Sequence, residues 1–248
     1  MAFVTPSKNN VMTTAVIMQP TYLPWVGYFD LMERCDVFVF LDSVQFAKRS
    51  WQQRNRIKTQ EGELMLTVPV VSKGLRDQLI CDTRIDLTAE FEKKHTASLR
   101  AAYAKASHYK NISTGYQAIA DKKHEKLADL NIELIKWLAG ALEIKRKMVR
   151  SSDLGVSGKR SELLLDICKA VGAKSYLSPA GSREYLEEDA VLAGDNGTEL
   201  LYHENVPVEY PQLHGAFMPF LSTIDLVMNR SAEEALDDIK RGRKVEAR

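Results

Sequence analysis

Between Gln45 and Lys58 the chain crowds cations, amides and an aromatic ring into fourteen residues: Gln45, Arg49, Trp51, Gln52, Arg54, Asn55, Arg56 and Lys58. In an extended segment side chains alternate between faces, so Arg54, Arg56 and Lys58 share one side and Trp51, Gln53 and Asn55 the other. Three aligned cations repel one another unless an anion sits among them, which points to a phosphate or a sugar-nucleotide diphosphate. Charges guarding an exposed strand edge against aggregation give the same pattern.

His95 is the histidine best placed for general-base work, with Lys94 beside it and Ser98 on the next helical turn. It also falls on the apolar stripe of Phe91 and Leu99, where a buried structural histidine is equally at home. Ser157-Gly-Lys-Arg-Ser-Glu precedes a helix, so Lys159 and Arg160 at the helix N-terminus are suited to a phosphate; Ser157 or Ser161 acting as a plain cap explains the segment as well. The loop from Ser178 through Gly181 to Tyr185 is a second such place, its glycine allowing a turn or a close backbone approach to a ligand. No His or Cys cluster has metal-ligand spacing, so no metal is expected. Cys35, Cys81 and Cys168 are odd in number and lack a CxxC pair, which fits a reduced, cytoplasmic setting.

Elements must bring these residues together. Ala15 to Met18 and Val37 to Leu41 are short apolar runs flanking a helical segment, Pro24 to Arg34, with Trp25, Phe29 and Met32 on one face: a βαβ unit with parallel strands. Lys147 to Arg150, Ser161 to Val171 and Ser175 to Leu177 repeat the pattern as strand, helix and strand. Trp51 to Lys58 and Glu63 to Val70 read as an antiparallel excursion around Glu61-Gly62. Residues 88 to 144 switch to helical periodicity, with Phe91, His95, Leu99 and Ala102 on one face and Leu127, Leu130, Leu134 and Leu138 on another. The expected fold class is α/β: a mostly parallel, Rossmann-like sheet with βαβ units, an antiparallel excursion and a helical insertion. Residues 13 to 240 form one domain between a polar tail, 1 to 12, and a charged tail, 241 to 248. In such a sheet ligands bind beyond the carboxyl ends of the strands, which selects Gln19, Asp42, Ser151 to Asp153, Ser178 and Gly181.

Over 248 residues, 34 Lys and Arg nearly balance 33 Asp and Glu, so non-specific nucleic-acid binding is not expected. From Phe91 to Arg150 there are 13 basic against 6 acidic residues, and from Gly181 to Lys240 only 3 against 13. The middle of the chain is the part suited to an anion. No stretch approaches the roughly 18 continuous apolar residues of a membrane-spanning helix.

The segment Gln19-Pro-Thr-Tyr-Leu-Pro-Trp-Val-Gly-Tyr-Phe is similar in placement to the strand-loop-helix of HIGH-type nucleotidylyltransferases, with Trp25 and Tyr28 where the two histidines would stand. Neither side chain supplies the cation a transferring phosphate requires, so the likeness supports nucleotide binding more than adenylyl transfer. Over a longer span the chain resembles the WbqC-like family, through QPTYLPWVGYFDLM, SWQQRNRIKT, KKHTASLRAAY, GAKSYLSPAGSREYL and FMPFLSTIDLVMN. The resemblance implies a bacterial, cytoplasmic role in surface-polysaccharide (O-antigen, lipopolysaccharide) biosynthesis with an activated amino sugar. By position it carries over Gln19, Pro20, Trp25, Gly27, Tyr28, Trp51, Arg54, Asn55, Lys58, Lys94, His95, Tyr103, Ser178, Gly181, Tyr185, Pro219, Ser222, Asp225 and Asn229. The leading expectation is a transferase that moves an acyl or aminoacyl group onto a nucleotide-linked amino sugar. His95, Asp42 and Gln19 would be its catalytic residues. Trp25, Tyr28, Gln45, Trp51, Arg54, Asn55, Lys58, Lys94, Arg160, Ser178, Gly181 and Tyr185 would bind substrate. No cofactor is expected beyond a nucleotide or an acyl or aminoacyl donor. A HIGH-like nucleotidylyltransferase or adenylate-forming enzyme, and a non-catalytic glycan-assembly partner, are the alternatives.

Overall fold

A computed structural model describes residues 13–189 and 197–244; the expected tail at 1–12 lies outside the described residues. In chain order the elements begin with β1 (Thr14–Met18), α1 (Val26–Glu33) and β2 (Val37–Phe40), then the hairpin β3 (Arg54–Thr59) and β4 (Gly62–Thr67). Three helices follow, α2 (Phe91–Tyr103), α3 (Tyr109–Ala120) and α4 (Leu127–Ala141), in the segment expected to be helical. The chain continues through β5 (Lys147–Arg150), α5 (Arg160–Val171), β6 (Ser175–Pro179), α6 (Arg183–Asp189) and β7 (Glu199–Asn205). It closes with α7 (Thr223–Asn229), α8 (Ala232–Arg241) and β8 (Arg243–Lys244).

The main sheet runs β5-β2-β1-β6-β7-β8, parallel except for β8. β1, β2 and β5, the first three strands of this sheet in chain order, therefore build outward in one direction and the later ones in the other. The reversal lies between β1 and β6, the switch point at which loops diverge and a crevice opens in sheets of this class. Both sheet faces are covered, which explains the unbroken apolar runs of β1 and β2. Ala15, Ile17, Val37 and Val39 pack under α5, against Leu164, Ile167 and Cys168. Val16, Phe38 and Phe40 belong to the larger core with Phe29 and Met32 of α1 and the apolar stripes of α2, α3 and α4. The helical segment thus shares the core of the sheet. Among the described residues no helix is long and apolar enough to cross a membrane.

The hairpin β3–β4 forms a separate two-stranded sheet with Thr59 opposite Gly62, whose φ of +109° suits the turn to glycine. Of the segment 241–248, expected as a charged tail, Arg241 ends α8 and Arg243–Lys244 pair with β7; residues 245–248 lie outside the described residues. Arg243 Nε donates to the buried Asp30 at 2.5 Å, so its charge closes the molecule against α1.

Candidate functional site

The segment between β1 and α1 is held at both sides by amides the sequence places far away. Asn131 of α4 donates to the carbonyls of Pro20 and Gln52 at 3.0 and 2.7 Å. Asn55 of β3 donates to those of Tyr22 and Leu23 at 3.2 and 2.7 Å, and Leu23 sits at a φ of +44°. Gln52 Nε2 donates to Gln19 Oε1 at 2.8 Å, and the backbone N–H of Thr223 donates to the Pro24 carbonyl at 2.8 Å. A buried loop must satisfy its peptide groups, and these partners do it with side chains in place of a ladder.

Against this loop opens a cavity of about 320 Å³ lined by Met18, Thr21, Trp25, Tyr28, Trp51, Asn55, Arg56 and Phe220. Met18 places it at the carboxyl end of β1, the central strand beside the switch point. Trp25 and Phe220 face each other with ring centres 5.8 Å apart and planes at 47°. Trp51 and Phe220 are 50% and 47% exposed, large apolar side chains that a folded chain ordinarily covers. The Arg56 guanidinium lies 5.7 Å from the Trp51 ring centre, donates to the Phe220 carbonyl at 3.0 Å and pairs with Glu63 at 2.9 Å. One arginine thus fixes two aromatic walls and brings a cation to the rim. The third wall depends on Gly27: a Cβ there would stand 2.3 Å from Cζ2 of Trp25, so the indole lies flat on the first turn of α1. Tyr28 donates to the Gln19 carbonyl at 3.3 Å; burial raises its phenol well above the ordinary range and keeps it protonated.

Gln19, Asp42 and Ser151 follow parallel strands, while Ser178, expected just past its strand, is the fourth of the five residues of β6; all four stand at the carboxyl ends of the parallel strands. Of the residues expected to bind substrate, Trp25, Tyr28, Trp51 and Asn55 line the cavity, with Gln19 joined to it through Tyr28 and Gln52. The others lie elsewhere. Asp42, fully buried, accepts from Arg150 Nε at 2.7 Å, Ser151 Oγ at 3.1 Å, and the N–H and hydroxyl of Ser152, both at 3.0 Å. His95 accepts from or donates to Tyr22 OH at 2.8 Å through Nδ1; burial pushes its pKa down to about 4, against the opposing pull of the Thr67 carbonyl. It is 5% exposed between the rings of Tyr22 and Phe91, so at neutral pH it is an uncharged part of the core. Neither side chain lines the cavity.

The aligned cations diverge in their partners. Lys58, 3% exposed, donates to Gln212 Oε1 and the carbonyls of Gly215 and Ala216 at 3.2, 3.2 and 2.5 Å, while Arg56 serves the rim and Arg54 Nε is sealed from solvent without a partner. Carbonyls of a distant loop thus supply the acceptors that an anion was expected to supply for Lys58. Arg160 and Ser161 at the start of α5 contact Asp189 at 3.4 and 2.8 Å, so the chain's own carboxylate occupies that helix end. Gln45 donates to the Arg76 carbonyl at 3.0 Å, and Lys94 is exposed on α2. Ser178 is fully buried; Gly181 and Tyr185 are exposed beyond β6, and none of the three lines the cavity.

Arg56, read from the sequence as one of three aligned cations, lines the cavity, and Phe220, Met18 and Thr21 complete it without having been singled out as binding residues. Phe220 arrives through a left-handed backbone position, φ +57°, held by Ser222 N donating to the Arg56 carbonyl at 2.9 Å. The signal available for it was a run of large apolar residues, Phe217 to Leu221, interrupted by proline.

A sequence model of the WbqC-like protein family matches residues 19–236, which span the loop after β1, the hairpin and Phe220. A protein of Mycobacterium tuberculosis (strain ATCC 25618 / H37Rv), called uncharacterized protein Rv1507c, is 34% identical over 223 residues, 90% of this chain and 96% of that one. No solved structure matches.

Proposed function

The chain belongs to the WbqC-like protein family, and on that premise we propose that its aromatic cavity binds a nucleotide-linked amino sugar for acyl or aminoacyl transfer in cytoplasmic surface-polysaccharide biosynthesis. The observation that carries this reading is the combination of three aromatic walls, Trp25, Trp51 and Phe220, with one rim cation, Arg56. Flat π-faces stack on a base or on the apolar face of a sugar, and a guanidinium suits the adjoining phosphate. The volume, about 320 Å³, holds one ring system, with the rest of the ligand extending over the open side.

No imidazole or carboxylate stands in the wall. In this reading the site works by holding the free amine of the sugar against an activated acyl donor. The amine nitrogen attacks the carbonyl carbon, the bond to the donor's leaving group breaks, and the leaving group takes up the proton. Alignment alone is worth several kcal/mol in such reactions. His95 and Asp42 then act as residues that hold the loop and the sheet edge in place.

Calorimetric titration and thermal shift with UDP-, dTDP- and GDP-linked amino sugars test the reading. A ligand at 100 times its Kd should stabilise the fold by about 2.7 kcal/mol. Trp51→Ala should weaken binding about 10- to 100-fold, as expected for one lost stacking contact. A flat response to every nucleotide sugar would remove the proposal, and pyrophosphate release from a nucleoside triphosphate would replace it with nucleotidylyl transfer.

A further inference from the structure

Two loops beside the cavity carry charge that the rest of the molecule does not answer. Residues 45–51 and 71–79 are bound to each other: Phe46 N donates to the Gln78 carbonyl at 2.9 Å, Gln45 Nε2 to that of Arg76 at 3.0 Å, and Lys48 Nζ to that of Ser72 at 3.1 Å. Together they hold four cations, Lys48, Arg49, Lys73 and Arg76, against one carboxylate, Asp77. Among the described residues none of the four forms an ion pair with a carboxylate. The basic segment 91–150 differs: Lys93, Lys122, Lys126 and Arg150 engage Glu90, Glu133, Asp82 and Asp42, and those of its cations that form no ion pair among the described residues, Lys105 and Lys110 included, have no exposed large apolar side chain between them.

Between these cations stand exposed apolar side chains, Val71 at 45%, Leu75 at 47% and Leu79 at 37%. Trp51, at the end of the first loop, joins the patch to the cavity wall. Unpaired cations interleaved with protruding aliphatic residues and a tryptophan match the boundary between anionic headgroups and acyl chains, where each kind of side chain finds its own layer. We propose that loops 45–51 and 71–79 dock on an anionic lipid bilayer and bring the mouth of the cavity to its surface. This goes beyond the nucleotide-sugar reading and does not depend on it.

Co-sedimentation with phosphatidylcholine vesicles, with and without phosphatidylglycerol, tests the proposal on the full chain. Binding to the phosphatidylglycerol vesicles alone is expected, falling steeply as salt rises. Each cation near the surface contributes about fivefold in affinity, so Lys48→Gln lowers binding about fivefold, and the variant with all four replaced by Gln falls below detection. Lys105→Gln with Lys110→Gln, on the helical segment, leaves binding unchanged. Equal sedimentation with both vesicles, undiminished binding by the four-site variant, or capture by soluble polyglutamate without capture by vesicles would overturn it. Titration of a soluble nucleotide sugar without vesicles reads the cavity separately, and the four-site variant should retain that binding and its melting temperature.

Discussion

The Asp42 cluster and the Trp25–Trp51–Phe220 cavity stand on the same edge of the same sheet, and they handle unsatisfied groups in opposite ways. At Asp42 four donors from the last residue of β5 and the two residues after it saturate a fully buried carboxylate, and Arg150 continues to Asp129 at 2.6 Å. At the cavity the polar groups are also satisfied, by Asn55, Gln52 and Arg56, but the apolar faces of two large rings remain in water. A position just past a strand is therefore not functional by location. What separates the two regions is what each leaves unmet: the first leaves nothing, and the second leaves aromatic surface that a ligand can cover.

The comparison breaks most visibly at Asp42. Asp42→Ala leaves the Ser151 hydroxyl and the Ser152 N–H and hydroxyl without their acceptor while Arg150 keeps Asp129, and should cost about 3 kcal/mol of stability, the upper end for buried donors left without an acceptor, read by urea unfolding, while nucleotide-sugar affinity per folded molecule stays unchanged. A stable Asp42→Ala protein that no longer binds ligand would put Asp42 in the site and erase the distinction. His95 extends the closed class to α2. Its folded-state pKa, pushed down to about 4 by burial, lies below that of the unfolded chain. Above about pH 6.5 both states are neutral and the fold has its full stability. As pH falls from there toward 4 the unfolded state alone gains the proton, and stability drops by about 3 kcal/mol. Chemical unfolding across that window, compared with His95→Gln, should show the drop in the parent protein and not in the variant. Identical profiles would mean that the imidazole titrates freely, as a general base open to solvent would.

Much of the scaffold was readable from the chain. The apolar runs of β1 and β2 announce a sheet covered on both faces, and the stripes of α2 and α4 keep helical period over twelve residues or more. The region after α6 was not readable in the same way. β7 mixes buried and exposed positions beside the two-residue strand β8, and α7 has only seven residues, fewer than two full turns of period. Trp25, Tyr28, Trp51 and Asn55 could be found because aromatics and amides cluster in two short stretches of sequence, around the start of α1 and around the start of β3. Phe220 could not, since its place comes from backbone bonds between residues 24 and 223 and between 56 and 222, which no local pattern encodes. The same limit explains Lys58: alternation places its side chain correctly with Arg54 and Arg56, but its acceptors belong to a loop more than 150 residues away.

The finest division between the two regions is made at Gly27. It sits in α1, where alanine is ordinarily the better helix former by about 1 kcal/mol. A Cβ would lie 2.3 and 2.4 Å from Cζ2 and Cη2 of Trp25, closer than carbon atoms approach. The indole is the part able to move, since Trp25 is only half-buried at the head of the helix. Gly27→Ala should therefore keep stability within about 1 kcal/mol of the parent while swinging one wall out of line. Ligand affinity should fall about tenfold, toward the low end of what one stacking contact supplies, with a shift in tryptophan emission as the ring meets more water. Trp25→Ala supplies the limiting value, and Gly27→Ala should lie between it and the parent. If Gly27→Ala binds like the parent while its emission shifts, the wall at Trp25 is dispensable and recognition contracts to the Trp51–Phe220 side of the cavity.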